Sequence, residues 1–171
     1  SICISALMCA CKDNLPQPET TEAERTVIIY MMAENSLNRF AANDLNEIRQ
    51  AYANVPKNTN LLVYVDNSSL PIIYNVTAKK GLTEWKTFSQ DQLSTDSTVM
   101  QRTLKEITAK FPAKKYGLVL WSHGSGWVPR SRAIGIDNGK NTSSNNGLQM
   151  DITTLRGVLE NLPHMEYILF D

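Results

Sequence analysis

The histidine in YGLVLWSHGSGW, residues 116–127, follows an apolar run of strand length and stands among small residues. Imidazole is the side chain best suited to take a proton from a nucleophile at neutral pH. Gly124 and Gly126 let the backbone turn sharply and leave N–H groups unobstructed, as an oxyanion site requires. His123 is therefore a candidate general base and Gly124 a candidate oxyanion donor, against the plainer reading of a histidine that only ends a strand. Asp171 closes EYILF as His123 closes GLVLW. With both at carboxyl ends of sheet strands, a shared cleft follows. In it Asp171 could bind a basic substrate group, orient the histidine or simply start a turn. Asp66, after NLLVYV, is a third acid at a strand end, where turn chemistry is the favoured reading.

The elements that must position these groups are legible from periodicity. TVIIYMMA, from Thr26, is a continuous β-branched and apolar run of the kind buried in a parallel sheet. Asn35 and Ser36 are placed to cap a helix with Leu37, Phe40, Ala41, Leu45, Ile48 and Tyr52 at helical spacing. NLLVYVD at 60–66 is a second buried strand, and PIIYNVTA with EWKTF reads as an antiparallel excursion at a sheet edge. Asp96 or Ser97 starts a helix closed by Pro112, and YGLVLW follows as the next strand. From Ser122 to Met150 the chain is rich in Gly, Asn and Ser with no helical or strand period, a long loop of the kind that carries function. DITTLRGVLENLP supplies one more helix, capped by Asp151, and MEYILFD one more buried strand. This order predicts an α/β sandwich with a mostly parallel central sheet.

The totals narrow the function classes. A chain of 171 residues suffices for one domain with a sizeable core. Its 17 Lys and Arg balance 17 Asp and Glu, which argues against a nucleic-acid groove or a polybasic membrane surface. All three cysteines, Cys3, Cys9 and Cys11, precede Lys12, so the remainder carries neither a disulfide framework nor a thiol nucleophile of its own. SICISALMCAC reads as the end of a secretory apolar region over residues 1–11, with Cys11 as a loosely matching lipobox cysteine and lipidation candidate. Residues 12–25, KDNLPQPETTEAER, read as a flexible linker ahead of a domain spanning 26–171. Export is thus expected, with membrane contact only through a lipid at the N-terminus.

Three blocks in order, TVIIYMMAENSLNRFAANDLNEI, KYGLVLWSHGSGW and EYILFD, resemble the clostripain family of bacterial cysteine peptidases, in the clan of caspases, gingipains and legumain. The resemblance runs from about Thr26 to Asp171 and implies a caspase-like α/β/α sandwich. It further implies that His123 is the general base of a His/Cys dyad, and that Asp171 matches the S1 aspartate that selects Arg or Lys at P1. The nucleophilic Cys is expected two residues beyond Asp171, about fifty residues after the histidine as in caspases. A chain lacking that thiol is expected to be inactive alone. The substrates implied are proteins or peptides with basic P1 residues, and the family leans to monomers.

Members of that family often cut themselves between the histidine and the cysteine strand. Within residues 128–150, Lys140 in the polar stretch GKN is the candidate processing site. Calcium helps some members; Asp137 and Asp151 are an acidic pair, but no spaced loop of oxygen ligands is present, so no metal site is assigned. Two rivals remain. HGSG at 123–126 also suits the oxyanion turn of an α/β-hydrolase esterase, although no G-x-S-x-G elbow occurs. A non-catalytic surface lipoprotein could use the same fold as a binding module.

Overall fold

The computed structural model describes residues 22–124, 133–139 and 147–171. Its centre is a six-stranded sheet built from β1 (Ala23–Met32), β2 (Thr59–Asp66), β3 (Ile72–Thr77), β4 (Gly81–Thr87), β5 (Ala113–Trp121) and β8 (Met165–Phe170), in the order β4-β3-β2-β1-β5-β8. The pairs β1/β2, β1/β5 and β5/β8 are parallel, and the β3–β4 hairpin adds an antiparallel edge. The predicted mixed, mostly parallel sheet is thus present. β1 and β5 begin at Ala23 and Ala113, ahead of the apolar runs that announce them.

Because successive strand residues face opposite sides of a sheet, β1 splits its apolar residues between two cores. Ile28, Tyr30 and Met32 pack with Met100, Leu104 and Ile107 of α2 (Ser97–Lys110) and with Leu155 and Val158 of α3 (Ile152–Leu159). Met31 and Ile29 pack on the other face with Ala41, Leu37, Leu45 and Ile48 of or beside α1 (Asn38–Ala51). The result is an α/β/α sandwich. Asp96 caps α2 by accepting from the N–H groups of Thr98 and Val99, and Asp151 caps α3 through Thr154. Among the described residues no helix is long and apolar enough to cross a membrane.

Four expectations change. Asn35 and Ser36 do not cap α1, whose first residue is Asn38; they serve the site described below. Phe40 is exposed, with the Arg39 guanidinium 5.0 Å from its ring centre, so the buried stripe of α1 is narrower than its apolar residues suggest. The segment after Ser122 is not an unbroken loop: β6 (Ala133–Asp137) and β7 (Leu148–Asp151) form an antiparallel pair. Small residues conceal its period, since Ala133, Gly135 and Asp137 are the buried positions of AIGID. Finally, β8 lies at the edge of the described sheet, and Tyr167, Leu169 and Phe170 are exposed rather than buried.

Candidate active site

From β1 the chain runs to β2 on one side, and the next parallel strand, β5, adds to β1 on the other. Such a reversal opens a crevice at the carboxyl ends of the two central strands, the usual ligand position in open α/β sheets. His123 leaves β5 at that crevice. Ser36 leaves β1 at its other wall, and its Oγ lies 2.8 Å from His123 Nε2. His123 is half-buried, whereas Ser36 and Gly124 are exposed.

Fully buried Asn35 ties the two walls together. Its side-chain N–H group donates to Met32 O at 2.9 Å and to Ile136 O at 2.8 Å, with Ser122 Oγ at 3.3 Å, while its Oδ1 accepts from Leu37 N. Ser122 closes the same knot, its hydroxyl donating to Met32 O at 2.7 Å and accepting from Ile136 N. The residue just before the histidine is therefore fixed to β1 and β6. The Asn-Ser pair resembles a helix cap in sequence because residues of these types before an amphipathic run give the same signal.

Asp171 joins the crevice through its backbone. Its N–H donates to Leu120 O at 3.0 Å and its carbonyl accepts from Ser122 N at 3.2 Å. The β5/β8 ladder thus continues one step past Phe170 and sets exposed Asp171 beside the neighbour of His123. Lys140 and Cys11 lie outside the described residues. Trp121 is packed against α1, its indole N–H donating to Asp44 at 2.8 Å.

A second acidic group lies beneath the same strand ends. Glu34 and Asp66 are fully buried, Asp91 is half-buried, and one carboxylate oxygen from each lies within 4.8 Å of the others. Burial, then the Asp137, Glu34 and Asp91 carboxylates, push the Asp66 carboxyl up to about 9. Tyr64 donates to Asp66 Oδ2 at 3.3 Å and opposes that rise. Asp66 is a core residue, not the turn former its position suggests. Asp137 and Asp151, the acidic pair of the sequence, serve other ends: Asp137 accepts from Ser94 and Gly139, and Asp151 caps α3.

A mostly parallel sheet between two helical layers, with a histidine at its switch-point crevice, has the architecture of a caspase-like peptidase domain. The chain belongs to the clostripain family, whose model matches residues 29–171. Among solved structures it resembles a secreted C11 cysteine protease from Bacteroides thetaiotaomicron in complex with an irreversible peptide inhibitor, at 36% identity and a TM-score of 0.73 over 85% of this chain and 41% of that one. It also resembles a B. fragilis cysteine protease, at 35% identity and a TM-score of 0.55 over 62% of this chain and 93% of that one. An inactive zymogen C11 protease from Parabacteroides distasonis is 31% identical with a TM-score of 0.58, over 64% of this chain and 33% of that one. The chain spans less than half the length of the first and third. Comparison with curated proteins gives no match.

Proposed function

We propose that this chain supplies the general base, the oxyanion donor and the S1 carboxylate of an exported cysteine endopeptidase that cleaves after Arg or Lys. The observation that carries this reading is the pairing of Asp171 with Leu120 and Ser122, because residues following Asp171 then emerge alongside His123. A cysteine two residues past Asp171 would meet the imidazole across the crevice. His123 takes the thiol proton, and the thiolate attacks the scissile carbonyl carbon. The Gly124 N–H stabilises the oxyanion, and the imidazolium returns its proton to the leaving amine. Water then attacks the acyl-enzyme with His123 again as base.

Asp171 would pair with the guanidinium or ammonium of the P1 residue, a charge-assisted contact that a neutral side chain cannot replace. The likeness to a secreted protease in complex with a peptide inhibitor supports a peptide substrate and an exported enzyme. Cys11 is the residue that would carry a lipid. A zymogen among the relatives supports self-cleavage, for which Lys140 satisfies the enzyme's own preference. N-terminal sequencing of the processed protein should then give a fragment beginning at Asn141.

The deciding experiment is Asp171→Asn in the full-length enzyme, assayed on peptides with Arg, Lys or Ala at P1. Loss of a hydrogen bond to a charged group predicts a fall of roughly 10- to 150-fold in kcat/KM for basic P1 residues. The melting temperature should stay unchanged, since Asp171 is exposed. Unaltered kinetics on Arg and Lys substrates would reject the S1 role.

A further inference from the structure

We infer that Phe40 is a specificity-determining residue whose ring packs against an apolar substrate side chain on the leaving-group side of the scissile bond. The inference rests on the peptidase reading and assigns it a subsite. Phe40 falls in the apolar stripe of α1 by sequence, yet it is 44% exposed. A single exposed aromatic is common on a protein surface. What distinguishes this one is where the fold sets it.

Two contacts fix the rotation of α1 about its axis. Asn38 turns one flank toward the connection between β2 and β3, its amide donating to Ser68 Oγ at 3.2 Å. Asp44 turns another flank toward β5, accepting from the Trp121 indole N–H at 2.8 Å. Phe40 stands four residues before Asp44, so the two share a flank, with Phe40 one turn, about 5.4 Å, nearer the start of the helix. Residues two apart on a helix face different sides, which points Phe40 away from the Asn38 contact. α1 starts beyond the carboxyl end of β1, and His123 lies two residues past Trp121, the last residue of β5. The imidazole meets Ser36 just ahead of that helix start. Phe40 and His123 are therefore both displaced toward the crevice from a pair already in contact, and the ring borders the crevice beside the histidine.

The order of strands decides which part of a substrate the ring meets. Asp171 and the thiol proposed beyond it belong to β8, His123 to β5, and α1 to β1, the next strand over. The departing amine takes its proton from His123, so the leaving group sits on the imidazole side of the scissile carbonyl, away from β8. That direction leads to the start of α1. The Arg39 guanidinium, 5.0 Å from the ring centre, occupies one face of Phe40. The remaining exposed surface of the ring is apolar and suits a Leu, Met or Phe side chain at P1′ or P2′.

The test uses the full-length enzyme and internally quenched peptides with Arg at P1 and Phe, Leu or Gly at P1′ or P2′. The wild-type enzyme should favour Phe and Leu over Gly at one of these positions by about 2- to 10-fold in kcat/KM, the range of one aromatic contact. Phe40→Ala should bring that ratio close to one, and Phe40→Leu should keep most of it. A merely structural role for the ring would lower cleavage of every peptide alike and leave the ratio as it was. An unchanged ratio in Phe40→Ala would thus overturn the subsite while the peptidase reading stands, as would a wild-type enzyme with no preference at either position. An enzyme that cleaves none of the Arg peptides would instead reject the peptidase reading, and the subsite with it.

Discussion

Ser36 Oγ and His123 Nε2 lie 2.8 Å apart although 87 positions separate them in sequence. The contact joins the exits of β1 and β5, the two strands at which the sheet reverses direction, and it holds the imidazole from the β1 side. Because Ser36 is exposed, its replacement by alanine should change the melting temperature little. The lost hydrogen bond should lower kcat/KM roughly 2- to 10-fold in the full-length enzyme. Ser36→Thr keeps the hydroxyl and should retain most of the activity. Equal losses in the two variants would show that the hydroxyl contact is not what matters.

Asn35 should behave oppositely, with a large effect on stability. Asn35→Ala removes the donor shared among Met32 O, Ile136 O and Ser122 Oγ and the acceptor of the Leu37 N–H; Met32 O keeps the Ser122 hydroxyl, so the groups that lose their side-chain partner are Ile136 O and the Leu37 N–H. A polar group left without its partner costs about 1–3 kcal/mol, so for these two a total of about 2–4 kcal/mol is expected by urea unfolding. Asn35→Asp should be worse, because it sets a further carboxylate beside Glu34. A cost below about 1 kcal/mol for Asn35→Ala would mean that water replaces the amide.

The elements around these two residues differ in how visible they are in sequence. Continuous apolar runs make β1, β2 and β5 readable, and the histidine is legible because it interrupts such a run beside glycines. Asn35 and Ser36 stand out but point to the wrong role, since a helix cap and a loop that braces a histidine draw on the same side chains. β6 escapes notice because its buried positions are Ala133, Gly135 and Asp137, which carry almost no apolar signal. The exposure of β8 is unreadable, because a fully apolar strand looks alike at an edge and at the centre. The carboxylate triad is hidden for a different reason: its members belong to three segments, and only the parallel register of β1 and β2, which sets Met32 opposite Asp66, brings the first two together.

Two phenols in the core give a pH signature. Tyr30 and Tyr64 stack with ring centres 4.4 Å apart, and Tyr30 donates to Ser94 O at 2.9 Å. Burial above all raises both well above the ordinary 10.0, with Asp66 adding to the rise for each. A raised folded pKa contributes stability that is complete below the unfolded value and is lost as pH climbs through the folded one. Stability should therefore fall above about pH 10. Part of the tyrosinate absorbance, read in the near ultraviolet, should appear only as far-UV circular dichroism reports unfolding. In the Tyr30→Phe/Tyr64→Phe variant that coincident fraction should vanish; if it persists, these phenols are not the groups that resist ionisation.

The position of β8, and with it Asp171, depends on a close approach at Gly117. The β5/β8 register slips between Tyr116 and Gly117, leaving Glu166 as the extra residue, and Gly117 then pairs with Tyr167. A side chain at Gly117 would collide with the Tyr167 ring. Glu166 meanwhile accepts from Lys115 at 2.7 Å and Arg25 at 3.3 Å, which anchors the slip in its place. Gly117→Ala forces the ring away and should cost about 1–3 kcal/mol, the usual penalty of overpacking. In a Tyr167→Ala background the same substitution should be neutral or slightly stabilising, because alanine suits a strand better than glycine once the ring is gone. A double-mutant cycle by urea unfolding measures the coupling. Additive costs would show that the ring does not set the register, and that Asp171 is placed by its backbone bonds to Leu120 and Ser122 alone.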